Sequence, residues 1–329
     1  MAVANSYVIL NGKVEGCKSK TSWSPGDPLP WTANICQGVP FNIAIKYERC
    51  KEIPDFKTKA DDVFIVTYPK SGTTWMQQIV KCLQTKGYPE TVEKTVGELN
   101  PWFEEMEQKD ADAMPSPRIF KSHSPYHMAA KGNTPDSKCK YLHVVRNPKD
   151  VCVSQYYHYK GFWEYEYTGE FPEFCDLFIH GQVECGSWFD FVMSWYTCSE
   201  EVLHITYEDL KARPAEVIPK VADFLGLECN DTIVGLTIEK SSFSKMKTDA
   251  KSNMTWMNDL RHAGAVPFMR KGKVGDWRGH FTEEQSQRLD AVFQEKSSAE
   301  MRIAFWGKDI AQTLEAVQGD ADQESESPS

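Results

Sequence analysis

The stretch Tyr68-Pro69-Lys70-Ser71-Gly72-Thr73-Thr74-Trp75 sets one lysine and four small residues directly after the apolar run Val63-Phe64-Ile65-Val66. The run reads as a buried strand and the following MQQIVKCLQ as a helix. A helix N-terminus exposes unpaired N–H groups and a partial positive charge, which together attract an anion. The small side chains of Ser71, Gly72, Thr73 and Thr74 let backbone amides approach a phosphate, and Lys70 adds a full charge at the rim. The order is not that of a Walker A motif, GxxxxGK[ST]. Here the lysine precedes the turn, and Thr67 stands where the first glycine belongs. Taken alone, the segment also fits a capped strand–helix junction with a solvated lysine.

A second candidate is RIFKSHSPYH, residues 118–127, where Lys121 and His123 close another strand. A neutral imidazole suits proton abstraction near pH 7, although a histidine in such a place is more often structural. His123 and His127 are four apart, but Ser124-Pro125 breaks any helix there and no third ligand has telling spacing, so no metal is expected. Aromatic residues cluster in ELNPWFEE (Trp102, Phe103) and YKGFWEYEY (Tyr159, Phe162, Trp163, Tyr165). They suggest a flat apolar pocket for phenols, steroids or other hydrophobic alcohols and amines. Packing under a loop is nearly as good a reading of any one of them.

The elements that must position these groups start at Val63. Strands are expected at Val63–Tyr68, Arg118–Ser122, Tyr141–Arg146 and Val202–Tyr207, with helices at Thr74–Thr85, Pro148–Tyr159, Ser187–Glu201 and Pro214–Leu225. Near-continuous apolar strands alternating with helices imply an α/β fold with a central, mostly parallel sheet flanked by helices. Residues 1–60, broken by Pro25, Pro28, Pro30, Pro40 and Pro54, read as an irregular arm packed on the main body. The turn-rich, cationic segment 242–285 is long enough to be functional or mobile. The end, VQGDADQESESPS, is acidic and without aromatics, and is expected to be disordered.

With 329 residues, 41% hydrophobic, and a net charge of −10, the chain is an unsuitable general nucleic-acid binder. Any anion must be met by a local cluster of cations. No run approaches the length of a membrane helix. The ten cysteines contain no CxxC pair and read as reduced packing thiols of a cytoplasmic protein.

The residues resemble the cytosolic sulfotransferases, which use 3′-phosphoadenosine-5′-phosphosulfate (PAPS) as sulfuryl donor. TYPKSGTTW is similar to their 5′-phosphosulfate loop. YLHVVRNPKDVCVSQYYHY (141–159) is similar to their 3′-phosphate strand and helix, which implies Arg146 and Ser154 as phosphate ligands. PFMRKGKVGDWRGHFT (267–282) is similar to the loop that grips the same phosphate, and assigns Phe268, Met269, Arg270, Lys271 and Gly272 to the donor. Trp75, Tyr207, Ser241, Phe243 and Met246 inherit adenosine contacts. The resemblance spans about Gly38 to Phe305 and implies a single domain over 38–312 on a P-loop-like fold, with 1–37 an atypical arm and 313–329 a tail.

By the same resemblance His123 is the general base, assisted by Lys70, Lys121 and Ser154. Trp102, Phe103, Phe162 and Tyr165 line the acceptor cavity. Sulfuryl transfer needs positioning and charge stabilisation with attacking and leaving oxygens in line, and no metal is implied. The family's dimer contact matches RGHFTEEQSQ (278–287), where Glu283 and Gln287 replace the usual valine and glutamate, so that dimer is in doubt. Two rivals stand beside the enzyme: a P-loop kinase-like phosphotransferase and a non-catalytic PAPS-binding protein.

Overall fold

The structure, a computed structural model, describes residues 13–14, 29–131, 139–198 and 200–297. Strands β1 (Lys13–Val14), β2 (Ala33–Cys36) and β3 (Val39–Phe41) form an antiparallel sheet, followed by helix α1 (Tyr47–Glu52). Then come β4 (Val63–Thr67), α2 (Thr73–Gln84), α3 (Val96–Leu99), α4 (Gln108–Asp112), β5 (Ile119–Ser122) and β6 (Lys140–Val145). Helices α5 (Pro148–Gly161), α6 (Phe171–Ile179) and α7 (Trp188–Tyr196) lead to β7 (Val202–Thr206). The described chain continues with α8 (Tyr207–Ala212), α9 (Pro214–Leu225), α10 (Asp231–Lys240), α11 (Phe243–Thr248) and α12 (Glu283–Lys296).

The four expected strands pair in parallel in the order β5-β4-β6-β7. Every residue of β4 is buried, as a strand covered on both faces requires. Two apolar clusters, one on either side, hold Phe64, Phe120 and Tyr141 on one face and Ile65, Leu142 and Val144 on the other. At the N-terminal edge of the sheet Asp62 and Arg118, both fully buried, form a two-pronged ion pair at 2.5 and 2.7 Å. The chain runs outward from β4 to β5, then crosses back to β6 on the other side. Ligands of such sheets bind where the connection reverses, outside the carboxyl ends of the strands.

Four expectations need correction. The N-terminal region is not irregular throughout: Gln37 and Gly38, both at positive φ, turn β2 into β3. Residue Trp31 is buried between Tyr159 and Tyr165 and donates to the Gln182 carbonyl. The cysteines are not all reduced: the hairpin brings Cys36 to 5.3 Å, Cα to Cα, from Cys50 on α1, and the two are disulfide-bonded. The helix expected over Ser187–Glu201 stops at Tyr196, where Thr197 Oγ1 folds back onto the Met193 carbonyl at 2.9 Å. Segment 242–285 is also more ordered than a loop, carrying α11 and the 3-10 turns Thr255–Leu260 and Asp276–Gly279. Cys17 and the acidic tail lie outside the described residues. Among those residues no helix is long and apolar enough to cross a membrane.

Candidate active site

Each of the four parallel strands ends in a group of chemical interest. Past β4 comes the Lys70 turn, past β5 His123, past β6 Arg146 and past β7 Tyr207. All four line one cavity of about 670 Å³, together with Ser154, Ser241, Phe243, Met246 and residues 268–273.

The β4–α2 turn holds Lys70 at φ 70° and Gly72 at φ 108°. Glycine suits the second position on two counts: it takes positive φ freely, and a Cβ there would stand 2.9 Å from Tyr207 Cδ2. Thr67 and Thr73 hydroxyls share a 2.6 Å hydrogen bond that fixes the helix start against the strand. Ser71 departs from expectation. Its amide donates to the Tyr68 carbonyl, its side chain is fully buried, and it does not line the cavity. The cavity-facing part of the turn is therefore Lys70 and Gly72 to Thr74.

Arg146 joins this turn to the cationic loop. Its Nη1 donates to the Lys70 carbonyl at 3.2 Å and its Nη2 to the Lys273 carbonyl at 3.1 Å, while the guanidinium lies 4.4 Å over Tyr207. The loop is pinned from α5 by Asp150, which accepts from the amides of Gly275 and Trp277. Arg270 and Lys271 both reach Asp276, at 2.5 Å each. Gly272 has φ 64°, and a Cβ there would run into the Phe243 ring, so glycine lets the loop lie close against α11. Trp75 meets Tyr207 edge to face at 5.2 Å.

His123 is 9% exposed. Its Nδ1 lies 2.8 Å from the Thr67 carbonyl. A carbonyl only accepts, so Nδ1 carries the proton and Nε2 keeps its lone pair. Burial first, then Lys121, pulls the imidazole pKa from its ordinary value down to about 3. Neutral imidazole is thus its resting form. Lys70 is likewise brought down to about 7 by burial, then by Arg261 and Arg146; its amine sits 3.9 Å over the Phe268 ring. The Lys121 amine rests 4.5 Å over Trp102 and is lowered by burial.

Two expected wall residues face elsewhere. Phe103 is fully buried in an aromatic cluster with Phe56, Phe64 and Phe120. Phe162 is buried beside His158 and under the Arg261 guanidinium, behind the cavity surface. Trp102 and Tyr165 do line the cavity. Sequence reasoning missed Asn42, Glu164, Glu184, Trp256, Leu260 and His158 on its walls. Of these, only His158 carried a readable signal: it lies four residues after Ser154, on the same face of α5.

The cavity is short of partners. Trp75 Nε1, Trp102 Nε1, Arg146 Nε and His158 Nδ1 are buried with no hydrogen bond among the described residues. Buried polar atoms left in this way cost stability unless a ligand meets them. A ligand with phosphates at two ends and a flat base between fits the cations and rings present.

Comparison with known proteins agrees with this arrangement. The family model described as a sulfotransferase domain matches residues 60–300. Sulfotransferase 1C2 of Oryctolagus cuniculus is 36% identical over 271 residues, covering 79% of this chain and 90% of the relative. Sulfotransferase 2A2 of Mus musculus is 36% identical over 270 residues, covering 80% and 94%. Among solved structures, mouse sulfotransferase SULT7A1 complexed with PAP superposes with a TM-score of 0.67 at 28% identity, covering 86% of this chain and 98% of that one. The chain belongs to the sulfotransferase family. It is a PAPS-dependent enzyme that transfers a sulfuryl group to a small acceptor.

Proposed function

We propose that the donor lies across the carboxyl ends of β4 and β6, its phosphosulfate on the Gly72–Thr74 amides and Lys70. Its 3′-phosphate meets Arg146, Ser154, Arg270, Lys271 and the Gly272 amide. Trp75, Tyr207, Phe243, Met246 and Ser241 enclose the adenosine. The acceptor occupies the other half of the cavity, between Trp102, Tyr165 and Phe268. The observation that carries this reading is the bridge made by Arg146, which places both cationic groups on one cavity.

In the reaction His123 Nε2 takes the proton of the acceptor hydroxyl as its oxygen bonds to sulfur. The bond from sulfur to the 5′-phosphate oxygen breaks in line, and the electron pair stays on 3′,5′-bisphosphoadenosine (PAP). Lys70 meets the charge that gathers there, and Lys121 holds the sulfuryl oxygens. The carbonyl of Thr67 fixes the ring and stabilises the imidazolium through Nδ1–H.

Calorimetric titration tests the donor site. PAP is expected to bind with micromolar or better affinity and ATP–Mg²⁺ not at all; the reverse preference would indicate a phosphotransferase. The pH dependence has a definite sign. In the free protein Lys70 titrates near 7, and phosphate beside it raises that value. Affinity therefore falls as pH rises above 7, because the lost proton must be put back. At pH 8 binding takes up close to one proton, seen by comparing heats in buffers of different ionisation enthalpy. The variant Lys70→Met should lose that uptake.

A further inference from the structure

The acceptor half of the cavity differs from the donor half in charge. Four glutamates line the cavity; Glu98 is taken up by the Thr95 capping box at the start of α3, and the other three come from separate segments. Glu105 lies at the rim, shortly after Trp102. Glu164 stands in the 3-10 turn Trp163–Tyr165 that follows α5. Glu184 precedes α7.

Glu184 is 3% exposed and firmly held. Its Oε2 accepts from the Tyr165 hydroxyl at 2.6 Å and its Oε1 from Asn42 Nδ2 at 2.7 Å. Glu164 is different. It is 9% exposed, lines the cavity, and makes no hydrogen bond or ion pair among the described residues. Lys121, the cation nearest in kind, lies on Trp102 and forms no ion pair with any of the three among the described residues. The Glu164 carboxylate oxygens open on the cavity instead of being sealed in the core, so a bound cation can reach them. Trp102, Tyr165, Trp256 and Phe268 supply ring faces around it, which also attract cations.

We propose, resting on the function given above, that the acceptor is a phenol or alcohol that carries a protonated amine. The ammonium sits against Glu164 with Glu184 and Glu105 nearby, and the hydroxyl points to His123 Nε2. Burial, then Glu184 and Glu105, raises the Glu164 pKa to about 7, so a bound cation would restore its full charge.

The amine is the handle and not the nucleophile. An ammonium has no lone pair, and alkylammonium groups release their proton only near pH 10.

Matched acceptors test this with the full chain and labelled PAPS. The probes are 4-(2-aminoethyl)phenol, its uncharged analogue 4-propylphenol, and the anionic 3-(4-hydroxyphenyl)propanoate. Wild type is expected to favour the cationic phenol over the neutral one by roughly tenfold or more in kcat/KM, with the anion last. In Glu164→Gln the ratio of cationic to neutral kcat/KM should fall close to one. Equal use of the first two phenols by wild type overturns the assignment, as does a preference that survives Glu164→Gln. Sulfation of none of the three, with PAP still bound, would instead overturn the functional reading on which the assignment rests.

Discussion

The variant His123→Ala is expected to bind PAP as wild type does and to lose roughly 10²–10⁴-fold in kcat. The reasoning starts from a hydrogen bond. Nδ1 donates to the Thr67 carbonyl, which leaves Nε2 unprotonated inside the cavity. Among the described residues that line the cavity, His123 is the histidine whose tautomer a backbone carbonyl fixes. His158 also lines the cavity, but its Nδ1 is buried with no hydrogen bond among the described residues, so no partner fixes which of its nitrogens carries the proton. With His123 resting as the neutral form down to about pH 3, kcat/KM for an uncharged phenol should show no acid inflection near 6.5 from this residue. Stopped assays over pH 5.5–8, with PAP titrations alongside, check both statements. A variant that keeps a tenth or more of wild-type kcat would remove His123 from the chemistry.

The second large effect belongs to Lys70. Replacement by methionine keeps the length and apolar contact of the side chain but removes its charge. The amine sits on Phe268 beside Gly72, Thr73 and Thr74 on the same cavity, and no carboxylate forms an ion pair with it among the described residues. Burial and neighbouring arginines make its positive charge unfavourable in the free protein. Charge that develops on the leaving phosphate reverses that balance, so the stabilisation appears mainly in the transition state. Loss of one such group costs about 10²–10³-fold in kcat, with a smaller change in donor affinity. Single-turnover rates at saturating PAPS separate the two; a change confined to KM would make Lys70 a binding residue only.

Much of the cationic lining of the cavity was legible because each part of it sits on one continuous segment. Strand, turn and helix start follow one another in TYPKSGTTW, and the same order recurs from Tyr141 through Arg146 to Ser154. Parallel strands could be read from unbroken apolar runs, and their carboxyl ends are where the cavity lies. The acceptor wall is another matter. Asn42, Glu164, Glu184 and Trp256 are brought together by tertiary packing, and no local pattern relates them. Trp102 and Phe103 show a finer failure: Trp102 bridges Lys121 in extended backbone, so successive side chains point to opposite faces. Choosing both as wall residues ignored that alternation. Cys36 and Cys50 could not be paired from a separation of 14 residues; only the intervening hairpin makes them neighbours. Ser71 was misplaced because small size alone does not tell which turn amide is spent within the turn.

A crystal structure of the protein with PAP and 4-propylphenol is the most direct test of the donor and acceptor arrangement. The expected result has the 5′-phosphate on the Gly72–Thr74 amides and Lys70, and the 3′-phosphate between Arg146, Ser154 and Arg270. The phenol oxygen should then lie within hydrogen-bond reach of His123 Nε2. Phosphates bound on separate surfaces, or a phenol whose oxygen is out of reach of that nitrogen, would contradict it.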